Sequence, residues 1–232
     1  MDAKRGYVPE DDNNFSHEAI AKLKTASRHV NYLINEGYDI KQATTFVGNH
    51  FILSERQRLA IARSLSTTEQ LNNRKEKEKT SAEGSELWID GFNTIITLEV
   101  MFSDSILYRG MDGTIRDLAA LRGTYKIIPE TTDAIKLLLD VLSEMKVESV
   151  HILLDEPVSN SGRLKALIAD IGENYDIKLD IQVLKDVDRT LYDKENVITS
   201  DAIILDHSKS WINVMRKCLE KNETNVLQVW EF

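Results

Sequence analysis

From Glu86 onward the chain alternates short apolar runs with amphipathic helical segments, and this alternation restricts the fold more than any other feature. Leu87-Trp88-Ile89 and residues 150–154, 179–183 and 197–198 read as strands, with further strands expected at 106–108 and 226–230. Between them, 93–101, 131–145, 162–171 and 212–219 read as helices. In the second of these, Ala134, Ile135, Leu138, Leu139, Leu142 and Met145 form one stripe. The pattern predicts an α/β domain over 86–232, a mostly parallel Rossmann-like sheet with helices on both faces.

The preceding residues have a different period. Ile20, Leu23, Ala26, Val30 and Leu33 are spaced by three and four, the mark of an amphipathic helix, and Gly37 ends that run. Residues 40–51 make a second short helix. Ser54-Glu55-Arg56-Gln57 reads as a capping box that opens a third, to about Ser66. Residues 1–66 are therefore expected to be a small all-α domain. Its second and third helices have the spacing of a helix-turn-helix in which Arg56, Arg58 and Arg63 would meet phosphates. A bundle that only packs on the larger domain fits the pattern equally. Residues 67–85, with Arg74-Lys75-Glu76-Lys77-Glu78-Lys79 and few apolar residues, read as a charged linker or a solvated helical extension.

Composition narrows the function classes. The formal net charge is -9, but residues 1–80 hold 13 Lys and Arg against 11 Asp and Glu, leaving 16 against 27 for the rest. An acidic C-terminal part argues against nucleic-acid binding through bulk charge. It is compatible with an acidic site loaded with a cation. A lone cysteine, Cys218, excludes an internal disulfide and a Cys-based zinc site. No apolar run is long enough to span a membrane and the N-terminus is polar, so a cytoplasmic protein with no membrane partner is expected. No Walker-type or G-x-G-x-x-G loop occurs.

Ligands of open parallel sheets bind beyond the carboxyl ends of the strands. Three of the expected strands end on an aspartate, at Asp90, Asp155 and Asp201. Gathered carboxylates repel one another, and a hard divalent cation relieves the repulsion, which points to Mg2+ or Mn2+. The plainer alternative is that each aspartate caps the helix after its strand. Further candidate metal ligands are Asp112 and Asp117, in an Arg- and Asp-rich segment, and Asp188 after the strand at 179–183. Arg116 and Arg122, with Ser159, Asn160 and Ser161 at a helix start, are candidate substrate-binding residues for a phosphate. A solvated loop and ordinary helix caps would explain the same residues. Glu99 could face either the cleft or solvent.

Two short motifs carry a resemblance. Ile89-Asp90-Gly91-Phe92-Asn93 and Thr199-Ser200-Asp201 resemble the D-G-x-N and T-S-D elements of PIN-like nucleases of the NYN type. Longer strings resemble an uncharacterised archaeal and bacterial family, domain of unknown function 434. They are Tyr32-Leu33-Ile34-Asn35-Glu36-Gly37-Tyr38, Phe46-Val47-Gly48-Asn49, Leu53-Ser54-Glu55-Arg56-Gln57-Arg58, and Leu154-Asp155-Glu156-Pro157-Val158-Ser159-Asn160-Ser161-Gly162. The PIN-like resemblance implies a metal-dependent phosphodiesterase acting on nucleic acid, RNA before DNA. In it Asp90, Asp155 and Asp201 are the acids and Asn93 supports the first. A glutamate that PIN domains often carry on an intermediate helix has no clear match here. Two other readings stay open: an inactive PIN-like module that binds nucleic acid or protein, and another metal-dependent phosphoesterase. A homodimer is also left open.

Overall fold

The computed structural model describes residues 4–119 and 123–231. In chain order its elements are α1 (Asp11–Asn14), α2 (His17–Asn35), α3 (Ile40–His50), α4 (Glu55–Ser64), α5 (Thr68–Lys77), β1 (Glu78–Lys79), β2 (Glu86–Asp90), α6 (Gly91–Phe102), β3 (Leu107–Arg109), β4 (Ile115–Asp117), α7 (Pro129–Glu144), β5 (Ser149–Asp155), α8 (Ser161–Gly172), β6 (Lys178–Leu184), α9 (Val187–Tyr192), β7 (Val197–Ile198), α10 (Ala202–His207), β8 (Trp211–Ile212) and α11 (Val214–Lys221). Among the described residues no helix is long and apolar enough to cross a membrane.

Six strands form one sheet in the order β1-β8-β7-β2-β5-β6, every recorded pair parallel. The chain runs outward from β2 through β5 to β6, then returns to β7 on the other side of β2. The strand order thus reverses between β2 and β7, the place where doubly wound sheets open a crevice. Alternation sets the two faces. Leu87, Ile89, Val150, Ile152 and Leu154 lie in the main core with α6, α7, α8 and α11. Leu153 and Val197, with the half-buried Trp88, face α9 and α10 through Val187, Leu191 and Ile204. Each fully buried aliphatic side chain stabilises this packing by about 1.5–3 kcal/mol.

Side-chain caps open each of the three longer N-terminal helices, the expected box at Ser54 among them. Ser16 accepts from the Ala19 amide and Asp39 from that of Gln42, and the box between Ser54 and Gln57 is closed in both directions. Their apolar stripe is buried at Leu23, Ala26, Val30 and Ile34, but against a cluster that also contains Tyr108, Leu118 and Val229. The buried Ser27 hydroxyl donates to the Val229 carbonyl at 2.8 Å. This helical unit has no private core.

Three expectations need correction. The segment read as a charged linker folds as α5 and β1, because its charged residues are docked rather than solvated. Arg74 is buried between Asp112 and Asp206, and Lys77 donates to the carbonyls of Leu205, Asp206 and Ser208 at the end of α10. The helix expected from Ile212 starts at Val214, since Trp211–Ile212 pairs with β1. The final strand expected at 226–230 is a single parallel bridge, Leu227 to Tyr108, beside the small antiparallel pair β3-β4 rather than in the main sheet.

Candidate metal centre and its cleft

Register brings the strand-end residues together. Asp90 is level with Leu153 on β5, so Asp155, two residues further, shares its face. On the other side Ile89 is level with Ile198, which puts Thr199 beside Asp90, and the Thr199 hydroxyl donates to Asp90 Oδ2 at 2.8 Å. Gly91 allows the strand to turn straight into α6 here. A Cβ at that position would stand 2.7 Å from the Leu153 carbonyl oxygen. One turn into α6, Asn93 Oδ1 accepts from the Ser200 amide at 2.8 Å and from its hydroxyl at 3.0 Å. Asn93 therefore fixes the Thr199-Ser200-Asp201 turn against Asp90. Asp188 lies in the first turn of α9.

The capping alternative can be judged acid by acid. Asp201 does cap α10, Oδ1 accepting from the amides of Ile203 and Ile204 at 2.8 and 3.1 Å. Asp90 does not cap α6, and Asn160 rather than Asp155 occupies the cap position of α8. Asp90 is buried, and among the described residues no Lys or Arg pairs with it. Its carboxyl is pushed up to about 7, first by desolvation, then by the charges of Asp201, Asp155 and Asp188, against the pull of the Thr199 hydrogen bond. Burial and the Asp188 charge raise Asp155; burial and the charges of Asp201 and Asp186 raise Asp188.

Four acids thus share one field. Among the described residues, however, no three His, Cys, Asp or Glu side chains stand close enough to form a ready coordination shell. The two findings agree, since charges repel over longer distances than ligands bridge. The donors fit Mg2+ or Mn2+ in kind, all oxygen and all anionic. Magnesium in particular is commonly held by one or two carboxylates with water completing its shell.

Beside the acids lies a cleft of about 640 Å3, lined by Asn93, Ser200, Asp201 and Ile203 on one side and by Leu59, Ala62 and Arg63 of α4 on another. Residues 79–217 match the family described as a domain of unknown function, DUF5616, and residues 22–77 match a protein of unknown function, DUF434. The chain belongs to the DUF5616 family. It is 35% identical over 185 residues to an uncharacterized protein, MJ0935, of Methanocaldococcus jannaschii, covering 79% of this chain and 88% of the relative. No solved structure matches the chain. The expected DUF434 signature holds for the helical unit, but the string around Asp155 falls within the DUF5616 match instead.

The remaining candidates in the DUF5616 segment are placed elsewhere or engaged otherwise. Asp112 is buried between Arg116 and Arg74, at 2.7 and 2.6 Å. Against desolvation, which raises it, these guanidinium groups hold its carboxyl down at about 2. It is an ion-pair partner and not one of the gathered acids. Arg116 is buried on Asp112 and donates through Nε to the Ser200 carbonyl at 2.9 Å, so it braces the T-S-D turn rather than facing substrate. Asp117 lines the cleft with its carboxylate occupied by the Thr97 hydroxyl and the Ala119 amide. The hydroxyl of Ser159 and the amide of Asn160 are bound to the Tyr125 backbone, and Ser161 is buried as the first residue of α8. These three fasten a loop; they do not form an open anion corner. Arg122 lies outside the described residues. Glu99 points into the protein, bound by Tyr125, Thr131 and Arg5. Sequence reasoning missed Thr199 as the partner of Asp90, although it stands inside the T-S-D motif. The α4 wall of the cleft carried no local signal.

Proposed function

We propose that this protein is a metal-dependent nuclease of the PIN-like, NYN type, hydrolysing phosphodiester bonds in RNA. The observation that carries the reading is Asp90, a buried carboxylate that neither caps its helix nor pairs with a cation among the described residues and that feels three further acids. A buried anion without a cationic partner is costly, and a divalent cation is the partner that four carboxylates sharing one field suit. The position of the cluster, where the strand order reverses, supports the same reading.

In this reading Asp90 and Asp201 hold the cation, and Asp155 and Asp188 face the same site from β5 and α9. Thr199 orients the Asp90 carboxylate, while Asn93 and Arg116 keep the T-S-D turn in place from its two sides. When bound, Mg2+ or Mn2+ would lower the pKa of a water molecule and neutralise charge on the leaving oxygen. That no three-ligand group stands ready among the described residues favours a second reading, a module of the same fold that binds nucleic acid without cutting it.

Incubation of end-labelled single-stranded RNA with the protein and Mn2+ separates the two. The nuclease reading expects cleavage that stops with chelator and falls roughly 100-fold or more in Asp201→Asn and Asp155→Asn. Cleavage that these variants leave unchanged, or none on RNA or DNA at any metal concentration, removes the nuclease reading and leaves the binding module.

A further inference from the structure

The cleft beside the acids is walled by the helical unit, and its cations differ sharply in what they are bound to. Arg56 is tied to Asp11 and to the carbonyls of Leu118 and Gly6. Arg58 donates to the carbonyls of Leu53 and Thr45 and to Asn49. Neither stands open on a helix-turn-helix surface. Arg116, in the cleft wall itself, is buried on Asp112. Arg63 is different. It is exposed, lines the cleft, and has its guanidinium held by the Asp117 carbonyl, which Nη1 meets at 2.8 Å, and by a further bond to the Tyr108 side chain. Among the described residues lining the cleft it is the one exposed cation. A guanidinium has five N–H donors, so these two bonds leave part of its planar fork for an anion. The same cleft offers apolar surface at Leu59, Ile96 and Ile203, and Asp201 of the acid cluster is part of its lining.

We propose that this cleft is a nucleic-acid subsite adjoining the metal centre, in which Arg63 of the helical unit holds a backbone phosphate while the flanking base lies on the apolar wall. The inference rests on the nuclease or nucleic-acid-binding reading of the acid cluster. It makes the helical unit part of the active site rather than a separate recruiting domain. The cleft volume falls within the range of about 300–1,000 Å3 usual for small-ligand sites, so it accommodates a short unpaired stretch. An anion is attracted to Arg63 and repelled by the four acids, which would leave the scissile phosphate dependent on a cation and the neighbouring phosphate on Arg63.

The test is binding of a fluorescein-labelled single-stranded RNA oligonucleotide by anisotropy, on the full chain with chelator present, over a series of salt concentrations. Arg63→Met is expected to weaken binding roughly tenfold and to reduce the salt slope by about one phosphate contact, with Arg63→Lys recovering part of both. Ile203→Glu, at an exposed position on the cleft, is expected to weaken binding without touching the Asp117 anchor, which keeps the test valid if Arg63→Met is unstable. Wild-type protein that does not bind, or folded variants whose affinity and salt slope equal wild type, would overturn the subsite. Because no metal is present, failure of cation binding or of cleavage bears on the nuclease reading and not on this result.

Discussion

Asp90 couples the stability of the fold to pH. Its carboxyl stands near 7 in the fold, whereas an unfolded chain releases that proton near 4. Between those values the folded state binds the proton and the unfolded state does not. Stability of the metal-free protein therefore falls as pH climbs from about 4 to about 7, by at most roughly 4 kcal/mol from this group. Asp155 and Asp188, also raised, act in the same direction. Urea midpoints of metal-free protein should be higher at pH 5 than at pH 7.5, and Mn2+ should narrow the gap; a midpoint that rises with pH would contradict the assignment. Asp90→Asn keeps an oxygen for the Thr199 hydroxyl and removes the buried charge. It should stabilise the metal-free protein at neutral pH by about 1–2 kcal/mol while weakening Mn2+ binding at the proposed site. The aspartates were legible because each ends an apolar run. What sets Asp90 apart from an ordinary cap such as Asp201, the bond of its carboxylate to Thr199 on a neighbouring strand, depends on register across strands and could not be read along the chain.

At the scale of elements, the acid site depends on two junctions. Gly91→Ala would push a Cβ against the Leu153 carbonyl and the Leu154 side chain at the start of α6. A loss of about 1–3 kcal/mol in denaturant unfolding and weaker metal binding are expected together, because Asp90 and Asn93 flank the displaced turn. The second junction is α5, where Arg74 joins Asp206 of α10 to Asp112, and Arg116 carries the chain of bonds on to Ser200. Arg74→Met leaves the buried Asp112 and the half-buried Asp206 without that partner and should cost about 3–5 kcal/mol, measurable by urea unfolding. The strongly periodic elements α2, α7, β5 and β6 could be read from the sequence. The helix α5 could not be separated from a linker, although Thr67-Thr68-Glu69-Gln70 is a capping box of the kind recognised at Ser54. Its buried side is cationic, and the counter-charges lie 38 and 132 residues away. The two-residue strands β1 and β8 are too short to show a period.

The whole molecule is more unified than the change in sequence period suggests. The helical unit closes its core with Tyr108, Leu118 and Val229, and it also forms one wall of the cleft at the acid cluster. Circular dichroism and tryptophan fluorescence should report one coincident unfolding transition, and residues 86–231 alone should not fold cooperatively; two separated transitions would show independent domains. The split into a helical and an α/β part was legible from the periods, and the shared core was not, because the residues that complete it sit in the irregular stretches around β3, β4 and the C-terminus. The central claim, that strand-end carboxylates form a divalent-cation site, is tested most directly by titrating Mn2+ into wild type and into the Asp90→Asn, Asp201→Asn double variant in a calorimeter. Saturable binding by wild type, tighter as pH rises past 7, and none by the folded double variant is the expected result. No binding by folded wild-type protein at millimolar Mn2+, or equal binding by both, would contradict it.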